Sequence, residues 1–217
     1  MIERFHAKLA NLTAVLIIAL ASTLGNSAQG AAALKPEEKA TVAQVSAYLN
    51  GIRSFQARFI QVSQNGGIAE GRIYIQRPGR MRIEYKPPVP LLIVSTGKIL
   101  ILYDRKLDQV THLPLSASPA SFLLADKIRF SGRIRVIGVK RLNGRIYVSV
   151  AEKGRPDKGS LHLMFVTNPL KLREWIVIDA QRRRTKVVLI DIREGVKLDP
   201  KLFLFERTGK GGGGDYR

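Results

Sequence analysis

IYIQRPGRMRIEY, residues 73–85, decides the fold. Two alternating segments meet at Arg77-Pro78-Gly79. Before the turn, Ile73 and Ile75 point one way while Tyr74 and Gln76 point the other. After it, Met81, Ile83 and Tyr85 share a face opposed by Arg80, Arg82, Glu84 and Lys86. Successive strand side chains point to opposite sides, so this alternation predicts an antiparallel sheet with one oily and one wet face. Pro78 fixes its own φ and Gly79 permits a positive one, so the pair marks a hairpin tip.

Outward from this hairpin the period of two persists. It predicts strands near 55–64, 68–77, 80–86, 91–95, 98–103, 108–112, 132–141, 145–152, 159–166, 172–179 and 184–193, with a short closing strand near 201–206. Asn65-Gly66-Gly67, Thr96-Gly97, Asn143-Gly144 and Arg155-Pro156-Asp157 supply turn chemistry between them; Asn143-Gly144 is the strongest hairpin signal. About eleven short strands joined by tight turns imply one meandering antiparallel sheet, curled into an incomplete, half-open β-barrel. Ahead of it, residues 36–52 (PEEKATVAQVSAYLNGI) read as an amphipathic helix. Pro36, Glu37 and Glu38 lie in its first turn, and Val42, Val45, Leu49 and Ile52 form its apolar stripe. Between the sixth and seventh strands, Ser118 and Pro119 open a second, short helix carrying Phe122, Leu123 and Leu124. A helix this short must dock on an apolar surface, so both helices are expected to cover the oily face as a lid.

The chain has 217 residues, no cysteine and a formal charge of +19. Disulfides and thiolate chemistry are excluded, and anionic partners such as a membrane surface are favoured. Arg4 and Lys8 precede an apolar run over residues 12–24, followed by small residues. This is the pattern of a secretory signal peptide, too short to span a bilayer. The expected organisation is a signal over 1–30, one half-barrel domain over 31–207 and a mobile glycine-rich tail over 208–217.

Candidate chemistry is sparse. His112 and His162 stand singly, and Asp104, Asp108, Asp126, Asp179 and Asp191 fall separately near strand ends or turns. No HExxH, GxSxG or phosphate-loop pattern occurs, which argues against an enzyme and predicts no metal or cofactor. Arg133, Arg135, Lys140, Arg141, Arg145 and Arg182-Arg183-Arg184 make a basic surface, but aromatics are not interleaved with it as stacking platforms, so nucleic acid is not the expected partner. The oily face gathers Val45, Leu49, Phe59, Ile75, Met81, Ile83, Tyr85, Phe122, Leu123, Leu124, Leu163, Phe165 and Trp175. From the pattern alone, these side chains either fill a core or line a space for a ligand.

Four motifs occur in order. They are Phe55-x-x-x-Phe59-x-Gln61; Gly71 with five residues before Arg77-Pro78; Ser95-Thr96-Gly97-Lys98; and Tyr103-Asp104 followed by residues 108–111 (DQVT). In this order the chain resembles the periplasmic outer-membrane lipoprotein carrier proteins, the LolA family, from about residue 39 to residue 206. The resemblance implies an eleven-strand half-barrel with a helical lid over an apolar cavity, holding a lipoprotein's acyl chains between membranes. It further implies acylated lipoproteins as cargo, an ATP-driven inner-membrane releasing complex as donor and an outer-membrane acceptor. Arg77 corresponds to the arginine that latches the lid, and Met81 to a cavity residue facing it. Thr96 stands where the family's turn carries Asp, and the strong positive charge is atypical. An exported carrier of a different amphiphile, such as a glycolipid, remains the alternative.

Overall fold

The computed structural model describes residues 33–207. The expected signal over 1–30 and tail over 208–217 lie outside the described residues. Eleven strands form one antiparallel sheet: β1 (Ser54–Ser63), β2 (Ile68–Gln76), β3 (Arg80–Tyr85), β4 (Leu91–Thr96), β5 (Ile99–Asp104), β6 (Gln109–Pro114), β7 (Ile134–Leu142), β8 (Arg145–Glu152), β9 (Ser160–Thr167), β10 (Leu170–Ile178) and β11 (Arg184–Glu194). Their order across the sheet is β6-β5-β4-β3-β2-β1-β11-β10-β9-β8-β7, a meander made continuous where β1 pairs with β11. β6 and β7 do not pair, so the barrel is incomplete. The connection between these two free edges carries the lid segment.

Local chemistry accounts for the turns. Asn143 (φ 49°) and Gly144 (φ 68°) both take positive φ, the two-residue hairpin geometry that Asn-Gly favours. The β9–β10 turn uses Asn168-Pro169. At Gly71 a Cβ would sit 2.1 Å from the Glu84 carbonyl oxygen and 2.7 Å from the Phe59 ring. Glycine there lets Phe59, its cross-strand partner, lie flat on β2.

The oily face is the concave one. Ala57, Phe59, Ile73, Ile75, Met81, Val148, Leu161, Leu163, Phe165, Trp175, Val187 and Leu189 all project into a single apolar cluster. Helix α1 (Pro36–Gly51) lies over it, burying Thr41, Val45 and Leu49. One arm of a capping box closes its N-terminus: the Lys35 amide donates to Glu38 Oε2 at 2.8 Å. The lid helix expected after Ser118 is a 3-10 helix, Pro119–Leu124, preceded by a 3-10 turn, Leu115–Ala117. Phe122, Leu123 and Leu124 are all buried; at three residues per turn they point to three sides of the axis, so this short helix is covered all round.

One expected strand is absent. Residues 201–206 do not close the sheet; Pro200–Phe203 is a 3-10 helix, capped by Asp199, whose side chain accepts the Lys201 amide at 2.9 Å. The segment straps the convex face instead. Phe203 is buried under the Arg80 guanidinium, and Phe205 meets Tyr103 edge-on at 5.6 Å beside Leu92 and Val94. The reason is visible in β4 and β5: LLIV and ILILY are apolar on both faces, as strands covered on both sides must be.

Candidate functional site: the lid and its arginine clasp

Two of the motifs singled out in the sequence, Arg-Pro-Gly and Ser-Thr-Gly-Lys, meet at one corner of the barrel. Arg77, at the end of β2, is 5% exposed. Its Nε donates to the Ile52 carbonyl oxygen at 2.9 Å, and its Nη2 donates to the Leu49 carbonyl at 2.6 Å and also to that of Ile52. Nη1 reaches the Ala125 carbonyl at 3.4 Å. The last carbonyls of a helix lack intrahelical donors and carry partial negative charge, and α1 has no basic residue in its own last turn. Arg77 supplies that missing cap from the sheet, and the same planar fork touches the end of the 3-10 helix. One buried cation thereby joins both covering elements to the barrel. Burial and the nearby Arg53 lower its pKa, opposed by Asp126, yet guanidinium remains charged in proteins.

The hairpin tip beside it contributes backbone. The Gly79 amide donates to the Leu124 carbonyl at 2.8 Å, and Ser95, fully buried, donates to the Gly79 carbonyl at 2.6 Å. Gly79 (φ 72°) packs against Gly97, where an added Cβ would lie 2.6 Å from the Gly97 carbonyl oxygen. The Lys98 carbonyl then accepts the Leu115 amide at 2.8 Å. The Arg-Pro-Gly and Ser-Thr-Gly-Lys motifs are thus two touching turns that hold the base of the lid segment.

Sequence reasoning missed a second clasp, between α1 and the loop after the 3-10 helix. Asn50 Nδ2 donates to the Ile128 carbonyl at 2.9 Å, and the Ile128 amide donates back to Asn50 Oδ1 at 2.9 Å. Arg53 donates to the Asp126 carbonyl and carboxylate at 2.8 and 2.6 Å; this holds the Asp126 carboxyl below its ordinary range. Along α1, Arg141 of β7 donates to Thr41 Oγ1 (2.8 Å) and Gln44 Oε1 (2.5 Å), so one member of the expected basic surface is a helix clamp. Tyr48 donates to Glu194 at 2.6 Å and accepts the Leu172 amide at 3.0 Å; burial and that carboxylate push its phenol upward. Partners 73 to 146 residues apart in sequence leave no local signal.

Of the predicted apolar residues, Val45, Leu49, Phe59, Ile75, Met81, Phe122, Leu123, Leu124, Leu163, Phe165 and Trp175 are buried in the one cluster, with Ile83 and Tyr85 half-buried at its margin. Tyr85 donates to Gln61 at 2.7 Å and meets Phe59 edge-on at 5.2 Å; burial pushes its phenol up to about 12. The space between α1 and the sheet, bounded by Leu49, Phe55, Ile75, Arg77, Leu123 and Leu172, amounts to only about 30 Å³. That holds a water or two and no alkyl chain. In this closed form the side chains expected to line a cavity pack against the lid and each other. A larger basin of about 350 Å³ opens beneath residues 116–134, with Phe122, Val150 and Leu161 at its floor.

His162 lies on the convex face. Its Nδ1 and Nε2 are 2.7 and 2.9 Å from the Ser149 and Ser160 hydroxyls, and burial with nearby Arg184 lowers its pKa. Among the described residues, no three His, Cys, Asp or Glu side chains cluster as a metal site, and no helix is long and apolar enough to cross a membrane.

Comparison with known proteins places this architecture. The family model for the outer membrane lipoprotein carrier protein LolA matches residues 50–206. The outer-membrane lipoprotein carrier protein of Chromobacterium violaceum is 32% identical over 180 residues, covering 78% of this chain and 85% of the relative. That of Methylococcus capsulatus is 28% identical over 170 residues, covering 75% and 81% respectively. Among solved structures, a LolA superfamily protein from Nitrosomonas europaea superposes with a TM-score of 0.43 at 12% identity, covering 75% of this chain and 97% of that one; so distant a likeness adds nothing to the sequence match. With its family model spanning most of the half-barrel and a relative of nearly equal length, the chain belongs to the LolA family.

Proposed function

We propose that this protein is a non-enzymatic, periplasmic carrier of acylated lipoproteins. It takes cargo from an ATP-driven releasing complex in the inner membrane and yields it to an acceptor at the outer membrane. The acyl chains lie against the concave face once α1 and the lid segment move away. The observation that carries this reading is Arg77, a buried cation whose guanidinium hydrogen bonds run to both covering elements. Its partners are backbone carbonyls, which water can satisfy when the lid lifts. Relatives named as lipoprotein carriers support the cargo class.

The closed interior sets the energetics. Each methylene withdrawn from water contributes about 0.8 kcal/mol, but a chain entering here displaces Val45, Leu49 and residues 122–124 from the same surface. Their lost contacts offset the gain. A carrier that competes with its own lid binds reversibly, as one required both to collect and to deliver must. The test is release of a lipoprotein from spheroplast membranes into solution. Purified protein is expected to extract a triacylated lipoprotein as a soluble complex, and the non-acylated form is expected to make none. Extraction no greater than by an unrelated basic protein would contradict the reading.

A further inference from the structure

The basin beneath residues 116–134 has a composition that the apolar interior does not explain. Its floor is the margin of the core: Phe122, Val150 and Leu161 are all buried. Its rim carries Lys127, Arg129, Arg133 and Lys158 against one acid, Glu152. Glu152 is already shared between Arg133 at 3.1 Å and Lys158 at 3.4 Å. Asp126, the other nearby carboxylate, is engaged by Arg53 at 2.6 Å. Lys127 and Arg129 therefore make no ion pair among the described residues, and they belong to the loop that continues the lid. Ser116 and Ser121 add hydroxyls on the same lining.

An apolar floor under a cationic rim suits an amphiphile with an anionic head. Several cations spread around one mouth favour a phosphate, whose oxygens engage more of them than a single carboxylate does. At about 350 Å³ the basin falls within the range of small-ligand sites. We propose that this basin is a head-group site for a phosphate-bearing amphiphile of net negative charge, with Lys127 and Arg129 engaging the phosphate and the acyl tail running past Phe122 toward the interior. The inference rests on the carrier reading, because the tail's path requires the lid segment to move. Part of the positive charge then serves to select among acylated ligands.

The test compares lysophosphatidylglycerol with lysophosphatidylcholine of the same chain length, titrated below their critical micelle concentrations onto the purified protein at low ionic strength. The anionic lipid should bind on the order of tenfold more tightly, a preference that fades as added salt screens the rim. Lys127→Gln/Arg129→Gln should abolish the preference by weakening binding of the anionic lipid to the level of the zwitterionic one. Arg72→Gln/Arg193→Gln, on the convex face, should keep it. Equal binding of the two lipids by the wild type overturns the head-group site alone; binding of neither lipid counts against the carrier reading as well. Loss of the preference in the convex-face variant would reduce the effect to overall charge and overturn the site. Glycerol 3-phosphate is the tail-less control: affinity matching that of the lysolipid overturns the amphiphile assignment in favour of a free-phosphate site.

Discussion

Replacing Arg77 with leucine removes the donor that joins α1, the lid and the barrel. In the closed form, the Leu49 and Ile52 carbonyls lose their charged partner. Leaving a buried acceptor unpaired costs about 1–3 kcal/mol, so two cost roughly 2–6 kcal/mol. With the lid open, water satisfies both, and that difference passes into the opening equilibrium. At about 1.4 kcal/mol per factor of ten, the open population rises roughly 30- to 20,000-fold. Leucine also relieves the cost of burying a charge, which places the expectation near the lower end. Hydrogen exchange followed by mass spectrometry reads this directly: amides in 36–52 and 115–128 should exchange at least about 30-fold faster, while those in β8–β10 stay unchanged. A protein whose binding-competent form is more populated holds its ligand more tightly. Arg77→Leu is therefore expected to extract lipoprotein at least as well as wild type but to deliver it poorly. Arg77→Lys, with one ammonium in place of a fork, should fall between the two, and Arg53→Gln, removing a largely exposed pair, should change lid exchange far less. Lid exchange within about twofold of wild type in Arg77→Leu would refute the clasp.

Three further expectations follow from particular contacts. Gly79→Ala combines a positive φ with a Cβ 2.6 Å from the Gly97 carbonyl oxygen; the strain of about 1–3 kcal/mol, plus the clash, should lower Tm by roughly 5 °C or more in a thermal melt. Phe203→Ala should cost about 3–5 kcal/mol in urea unfolding, because this ring fastens the C-terminal strap to β3 and β4; a loss below about 1 kcal/mol would mean the strap rests on other contacts. His162 has a lowered pKa in the fold, so the folded state prefers the neutral ring while the unfolded chain protonates first. Stability is then full above the ordinary histidine range and declines as pH falls through it toward the folded value. NMR titration of His162 should show a midpoint below that of the same ring in an unstructured peptide, and His162→Gln should flatten this part of the Tm-against-pH curve.

The sheet was legible because its concave face alternates: Ile73, Ile75, Met81, Leu161, Leu163 and Phe165 announced both strand and side. The Asn-Gly turn at 143–144 and the Pro-Glu-Glu start of α1 were legible because their chemistry is local. The strap over residues 198–207 was not. LFLF is an unbroken apolar run of strand length, and only the two-faced apolar character of β4 and β5 hinted that something covers the convex side. The clasp was half legible. Arg77 was found by its motif, whereas Asn50, Arg53, Asp126 and Ile128 meet only after the chain has closed around the barrel. The sequence pattern also could not distinguish a filled interior from an open one, since both require the same apolar face. The interior is filled where α1 and residues 115–128 cover it; the proposed carrier role therefore requires lid movement to create ligand space.

Whether acyl chains enter this interior can be measured with the chain's one tryptophan. Trp175 is 5% exposed and lies in the apolar cluster beneath α1. Bromine quenches indole fluorescence only at near contact, so a triacylated lipopeptide with brominated chains reports on this residue alone. Saturable quenching of Trp175, absent with the unbrominated lipopeptide and stronger in Arg77→Leu at equal subsaturating concentration, is the predicted result. Tight binding of the brominated lipopeptide with Trp175 unquenched would place the chains elsewhere and contradict the account.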